Sequence, residues 1–288
     1  MKKIGSWTLR RVIVIYQPDP YWGIEVIRDD VRRGNFKAAI FDFDGTLSLI
    51  REGWQGVMIS YFLAVLKETP LAEDEESLEK CVTDFVDLLT GKETIYQAIQ
   101  LAEEVRKRGG IPLEPLEYKR EYNRRLMKRI RHRIEGLKSR KIIPEDMVVP
   151  GTFELLTALK EKGLVLYLAS GTDEPYVLDE AKSLGIDVFF DGIYGAQDQY
   201  KLFSKAKVIN YMIEKHHLSG DELLGFGDGF VEIENVKSAG GLAVGVASDE
   251  VRKEGINQWK RNRLIKAGAD IIIPNYRKTQ DIIDYLFS

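Results

Sequence analysis

The sequence predicts an α/β fold, a doubly wound parallel sheet interrupted by an inserted block of helices. From Pro150 to the C-terminus, short continuous apolar runs alternate with helical segments, a pattern typical of a parallel sheet covered by helices on both faces. A similar apolar run at 38–41 has no parallel partner nearby along the chain, so it is expected to join the same sheet. Between these regions, residues 48–149 show helical periodicity and no convincing strand.

The elements follow in the order strand, helical block, then alternating helices and strands. The first strand stops at Asp42, and in the helical block apolar residues such as Val82, Phe85, Val86 and Leu89 recur at helical spacing. In the last part, helices are expected at 152–162, 176–184, 204–216, 231–239 and 279–287, and strands at 164–169, 188–190, 193–194, 223–226, 242–246 and 271–273.

This order predicts one α/β domain with an insertion, not two domains in series. The core is expected to comprise 37–47 and 150–288, and the helical insertion 48–149. Residues 1–36 are treated as an N-terminal extension with a β-like run at 12–16, and no function is assigned to them.

Composition excludes several classes of protein. The 288 residues are 44% hydrophobic and 30% charged, and 42 Lys and Arg balance 45 Asp and Glu. This is globular composition without the strong positive charge that draws a protein to nucleic acid or membranes, so neither partner is expected, and the oligomeric state stays open.

The single Cys81 forbids an intrachain disulfide, and its apolar neighbours favour a buried structural thiol. The short run at 12–16 does not resemble a signal peptide, and a cytoplasmic protein is expected.

Polar residues cluster where the predicted strands end. Asp42 and Asp44 follow the first strand, Ser170 and Gly171 the second, and Asp228 the strand at 223–226. Because ligands of open α/β sheets bind at the carboxyl ends of the strands, these groups should converge on one edge. Crowded carboxylates with room for water and phosphate suit Mg²⁺, and the glycine amides beside them suit an anion.

The motifs that carry these residues resemble those of the haloacid dehalogenase superfamily. The stretch 41–47 (FDFDGTL) is similar to its first motif, 168–172 (LASGT) to its second, and 227–240 to its fourth. A lysine at a helix start is expected between the last two; Lys205 fits best and Lys201 is the alternative. The resemblance implies a Rossmann-like core with an α-helical cap inserted between motifs one and two, over 48–149.

The resemblance also implies how the two aspartates of the first motif act. Asp42 would attack phosphorus and form an aspartyl-phosphate, and Asp44 would serve as general acid and then general base. Dehalogenases of the superfamily lack the second aspartate, because a halide leaves without a proton. The presence of Asp44 therefore favours phosphoryl transfer.

The remaining site residues are assigned in the same way. Phosphoryl oxygens would be bound by Ser170, Gly171 and Lys205. The Mg²⁺ ligands would be the Asp42 carboxylate, the Asp44 carbonyl oxygen and Asp228, with Glu232 nearby. The family usually has Asp where Glu232 stands, so Glu232 is expected either to reach the metal through water or to orient Lys205.

Substrate specificity is expected to come from the helical insertion. Arg51 belongs to the connector 50–54, which leads directly from the site into the insertion. It either contacts the substrate or is a surface charge at the hinge. The turn 90–94 (TGKET) either presents Lys92 and Thr94 to the substrate or is an ordinary glycine helix stop with Thr94 as N-cap. The basic stretch 119–141 is interpreted as a solvated helix face, with an electrostatic funnel for anions as the alternative.

Together these features predict a Mg²⁺-dependent phosphatase that acts on a small phosphorylated metabolite, with sugar phosphates the favoured class. The alternatives are a phosphomutase on a sugar phosphate, which would share this core, and a non-catalytic binding module, which would have no need for Asp44. A dinucleotide site at 225–229 is rejected, because the glycine spacing does not fit.

Overall fold

The protein contains a mixed sheet flanked by helices, with a helical cap beside the carboxyl ends of the central strands. The computed structural model describes residues 23–199 and 204–288. Within them the sheet has the order β1-β7-β6-β5-β2-β3-β4, in which only β1 is antiparallel to its neighbour. Its strands are β1 (Glu25–Val26), β2 (Ala38–Phe41), β3 (Val165–Asp173), β4 (Gly192–Ala196), β5 (Leu223–Gly227), β6 (Leu242–Val246) and β7 (Ile271–Ile273). The predicted doubly wound α/β fold is confirmed.

Helices fall into a cap group and a core group. The cap consists of α1 (Trp54–Lys67), α2 (Glu75–Leu89), α3 (Thr94–Lys107) and α4 (Pro115–Lys138). The core helices are α5 (Thr152–Glu161), α6 (Glu174–Leu184), α7 (Lys205–His216), α8 (Phe230–Ser238), α9 (Gln258–Ala267) and α10 (Thr279–Leu286).

Alternate residues of β2 point into two apolar layers. Ala39 and Phe41 pack with residues of α5, α6 and α10, whereas Ala38 and Ile40 pack with residues of α7, α8 and α9. The first layer continues without a break into the apolar interior of the cap. This continuity fixes the cap beside the carboxyl end of β2, where the predicted site residues lie.

Three elements differ from the sequence prediction, and the first is strand β1 at Glu25–Val26, which was not predicted. The strand predicted at 188–190 is wrong, because Asp187–Phe189 forms a 3₁₀ turn and pairing with β3 starts only at Gly192. The helix α9 was not predicted; its sequence is strongly polar, and only Lys260 and Leu264 are buried in it. The β-like run at 12–16 lies outside the described residues.

The end of the N-terminal extension is part of the core. Glu25 and Val26 pair with β7, and the Glu25 carboxylate accepts a hydrogen bond of 2.6 Å from Nε of Arg261 on α9. Phe36 meets Phe287 edge to face at 5.8 Å. In the described part of the chain, no helix is both long and apolar enough to cross a membrane.

The chain re-enters the core from the cap through a tight turn at Gly151. Its φ is +88°, and a Cβ there would collide with the backbone of Tyr276. At the other end of α5, Gly163 has a φ of +83° with no atom within 4 Å of a Cβ. We expect Gly151→Ala to lower the free energy of unfolding by about 2–4 kcal/mol, since it adds a steric clash to the left-handed strain.

Gly163→Ala is the matched control and should cost only about 1–2 kcal/mol, the price of a left-handed backbone alone. Urea denaturation of the two variants measures the difference. Equal losses would show that the contact with Tyr276 contributes nothing.

Candidate active site

The first site residue, Asp42, is buried at the carboxyl end of β2. Its amide donates to the carbonyl oxygen of Phe226 on β5, which continues the strand pairing by one residue. Lys205, the first residue of α7, donates to Asp42 Oδ1 at 2.8 Å and is itself 5% exposed. Burial raises the pKa of Asp42, and the ammonium of Lys205 opposes this shift. The alternative Lys201 lies outside the described residues.

Asp44 lies two residues further along and is held by the second motif. The hydroxyl of Thr172 donates to its Oδ2 at 2.7 Å, and Nε of Arg51 lies 3.8 Å from its Oδ1. Burial raises the pKa of the Asp44 carboxyl to about 7, although Arg51 opposes the shift. A carboxyl with this pKa exchanges a proton easily at neutral pH, as a general acid and base must. The role of Thr172 was missed from sequence.

Arg51 is 5% exposed, so its interpretation as a surface charge is wrong. The guanidinium donates to the carboxylate of Glu180 on α6, with an Nη2–Oε1 distance of 2.7 Å and Nε contacts of 3.1 Å. It also lies 5.4 Å from the ring centre of Tyr176. The arginine lines the site cavity with one side facing Asp44. It belongs to the cap linker, the segment between the first motif and α1, and its hydrogen bonds to Glu180 join this linker to the core.

Asp228 is positioned against the loop of the first motif. Its backbone amide donates to the hydroxyl of Thr46 at 2.9 Å, and a Cβ on Gly45 would collide with its carboxylate. The charge of Asp228 contributes to the raised pKa of Asp42, and both residues line the same cavity. Among the described residues, no cluster of three or more His, Cys, Asp or Glu side chains could by itself hold a metal ion.

Mg²⁺ nevertheless fits these residues. The ion keeps several water ligands and is commonly held by one or two carboxylates together with phosphate oxygens. The carboxylates of Asp42 and Asp228, with the backbone oxygen of Asp44, provide such a small set of hard oxygen donors. Lys205 and Lys260 each pair with one oxygen of these two carboxylates, and both aspartates line the cavity.

Lys260 was missed from sequence because α9 was not predicted. Its ammonium lies 2.8 Å from Oδ2 of Asp228 and 2.7 Å from Oε1 of Glu250, and donates to Ser248 at 3.2 Å. Ser248 in turn donates to the carbonyl oxygen of Gly45. Burial opposes ionisation, but the two carboxylates raise the pKa of Lys260. A permanent cation therefore holds one oxygen of Asp228.

Glu232 forms an ion pair with Lys205. Both side chains are at most 6% exposed, and a Cβ on Gly227 would lie 2.7 Å from the Cβ of Glu232. The sequence left two roles open for Glu232, and the ion pair with Lys205 favours the role of orienting that lysine.

The remaining motif residues line the same cavity of about 300 Å³ between cap and core, namely Ser170, Gly171, Lys92 and Thr94. The hydroxyl of Ser170 accepts a hydrogen bond of 3.0 Å from the amide of Thr172. Thr94 is the first residue of α3, and the N-cap is Glu93, so the prediction of Thr94 as N-cap is wrong.

The basic helix α4 is not uniformly solvated. Lys119 is 3% exposed and lies 2.5 Å from the carboxylate of Asp173, whereas Arg124 and Arg125 pair with Glu121 on the surface. The solvated face predicted for 119–141 therefore holds for part of the helix only.

A family model described as haloacid dehalogenase-like hydrolase matches residues 36–240. A 5'-nucleotidase from Pseudomonas aeruginosa is 27% identical over 129 residues, which cover 43% of this chain and 56% of the relative. A phosphoglycolate phosphatase from Vibrio cholerae is 28% identical over 97 residues, or 34% and 43% of the two chains. The chain thus spans about half the length of these curated relatives.

Solved structures agree on the fold. A crystal structure from Haemophilus somnus, described as a predicted phosphoglycolate phosphatase, superposes with a TM-score of 0.58 at 20% identity, over 86% of this chain and 98% of that one. The sheet and the inserted helices define a capped α/β fold. The chain belongs to the haloacid dehalogenase-like hydrolases, so the family inferred from its motifs is confirmed.

The Arg51–Glu180 pair yields a stability prediction. We expect Arg51→Met to lower the free energy of unfolding by about 3–5 kcal/mol, because it leaves Glu180 buried without a counterion. The double variant Arg51→Met/Glu180→Leu removes both charges and should lose less than the single variant. Urea denaturation of these two variants tests this, and a double variant that loses as much stability as Arg51→Met, or more, would contradict it.

Proposed function

We propose that the protein is a Mg²⁺-dependent phosphatase that hydrolyses a small phosphorylated metabolite, preferably a sugar phosphate, through an aspartyl-phosphate on Asp42. The observation that carries the proposal is the pairing of Asp42 with Lys205 at 2.8 Å, in one cavity with an Asp44 whose pKa is raised to about 7. A nucleophile beside a fixed cation and a carboxyl that can carry a proton are the two groups that ester hydrolysis requires.

In the first step, a carboxylate oxygen of Asp42 bonds to phosphorus as the bond from phosphorus to the ester oxygen breaks. Asp44 gives its proton to the departing oxygen, and the alcohol leaves. In the second step, a water oxygen bonds to phosphorus while Asp44 takes its proton. The bond to Asp42 then breaks and inorganic phosphate is released.

Ser170, Gly171 and Lys205 would bind the oxygens of the transferred group. Asp42, Asp228 and the Asp44 carbonyl oxygen would hold Mg²⁺, which when bound reduces the repulsion between the phosphate and the Asp42 carboxylate. Thr172 and Arg51 hold the Asp44 carboxyl in place.

The organic half of the substrate would lie under the cap, where Lys92, Thr94 and Trp54 line the cavity. A cavity of about 300 Å³ admits a small metabolite and not a macromolecule. The names of the two curated relatives, a 5'-nucleotidase and a phosphoglycolate phosphatase, also point to small phosphate esters.

We expect Asp42→Asn to lower the rate of phosphate release by about a thousandfold or more, because an amide is a poor nucleophile. The assay is inorganic phosphate release from p-nitrophenyl phosphate and from a panel of sugar phosphates and nucleotides. Asp179→Asn, an exposed aspartate that pairs with Lys138, is the matched control and should keep full activity.

Full activity of Asp42→Asn would refute the aspartyl-phosphate. An isomerised sugar phosphate without free phosphate would identify a mutase instead. Turnover of no ester in the panel, with Mg²⁺ binding retained, would favour a binding module.

Removal of the metal gives a separate prediction. EDTA should abolish phosphate release and added Mg²⁺ should restore it, because the phosphate and the Asp42 carboxylate otherwise repel each other. Asp228→Asn should raise the Mg²⁺ concentration for half-maximal activity about tenfold or more, since it removes one of the few charged ligands. Asp221→Asn on the surface is the control, and full activity in EDTA would contradict the proposal.

A further inference from the structure

Arg263 on α9 forms hydrogen bonds with the C-terminal end of cap helix α2. Its guanidinium donates to the carbonyl oxygen of Asp87 and, at 3.0 Å each, to those of Leu88 and Thr90. These carbonyl groups end α2 and carry the negative end of the helix dipole, and the oxygen of Asp87 also accepts the amide of Thr90. One core side chain thus bonds to three carbonyl groups of the cap.

Two rings of the core support Arg263. Its guanidinium carbon lies 4.7 Å from the ring centre of Phe230 and 5.0 Å from that of Trp259. Cation–π contacts of this kind limit the freedom of the side chain. Phe230 directly follows Gly229 in the loop of Asp228, so the arginine is anchored to the loop that carries a site carboxylate.

The bonds of Arg263 place the adjacent cap turn, residues 90–93, directly on two site loops. A Cβ on Gly91 would lie 3.5 Å from the Cα of Gly229, and a Cβ on Gly171 would lie 3.0 Å from the carbonyl oxygen of Lys92. The φ of +99° at Gly91 is also one that favours glycine. The cap turn therefore meets the second and fourth motifs through glycines, at backbone-to-backbone distance.

We propose that Arg263 is a positioning residue that latches the cap turn onto the loops of the second and fourth motifs. Without it, the turn loses the charge-assisted hydrogen bonds that hold it down, and the cavity that Lys92 lines opens to water. The latch rests on the proposed function for its effect on catalysis, but the contact itself does not depend on turnover.

Other contacts join the cap to the core away from this turn. On α4, the ammonium of Lys119 lies 2.5 Å from the carboxylate of Asp173, and Asn123 donates to the same carboxylate at 2.9 Å. Arg133 on α4 donates to the carbonyl oxygens of Ile50 and Glu52 at 2.8 and 3.0 Å. These residues belong to the linker between core and cap, so such bonds persist when the cap turns about the linker. The bonds of Arg263 join the core to the cap turn and are broken as soon as the turn lifts.

The first experiment measures amide hydrogen–deuterium exchange in the full chain without substrate. In Arg263→Met we expect exchange at 88–93 to rise about tenfold, as the loss of charge-assisted bonds allows local opening, and exchange in α9 to stay unchanged. Arg263→Lys keeps the positive charge but loses the paired N–H donors of the guanidinium. Its exchange at 88–93 should lie between that of the native protein and that of Arg263→Met.

The matched control is Arg261→Met on the same helix, since Arg261 bonds to Glu25 in β1 and contacts the sheet edge instead of the cap. It should leave exchange at 88–93 at the level of the native protein. Unchanged exchange in Arg263→Met, or the same rise in both variants, would overturn the latch.

The second experiment measures kinetics on the ester that the phosphate-release panel identifies as best. Arg263→Met should raise KM about tenfold with kcat within twofold, because closure then consumes binding energy, and Arg261→Met should change neither. A rise in exchange with unchanged KM would overturn the positioning role. Failure of every ester would refute the proposed function, and with it this kinetic role, while the exchange data would still decide whether the contact exists.

Discussion

The site is organised by the need to balance the charge of neighbouring aspartates buried at the carboxyl ends of the strands. In the described part of the chain, each of the three aspartates is paired with a cation that also contacts a glutamate. The groups are Asp42–Lys205–Glu232, Asp44–Arg51–Glu180 and Asp228–Lys260–Glu250. Because buried carboxylates are stable only when paired, the positions of α6, α7 and α9 and of the cap linker all follow from these pairs.

The sequence predicts the aspartates but only part of what surrounds them. Asp42 and Asp228 follow apolar strands at once, so the direction of the chain places them. Arg51 follows the first motif closely along the chain, but its partner Glu180 is 129 residues away, a separation over which spacing carries no signal. Lys260 and Arg263 lie on α9, whose sequence is too polar to show the periodic apolar pattern of a packed helix. The signals that could have predicted this helix are Asn257 as its N-cap and Gly268 at its end.

The sheet edge beside β7 shows how the N-terminal segment serves the fold. Strand β1 has only two residues, yet its pairing covers the open backbone groups of β7. An uncovered strand edge is a template for pairing with another chain. The charged Glu25, bonded to Arg261, makes β1 itself a poor template, so the segment shields the open edge of the core sheet.

The glutamates of these groups have a consequence for a site whose charge changes. When Asp42 or Asp44 is neutralised by a proton, its cation would be left without a buried counterion if it had no other partner. Glu232 and Glu180 remain as counterions for Lys205 and Arg51. Each of these cations therefore keeps a carboxylate partner when the charge of its aspartate changes.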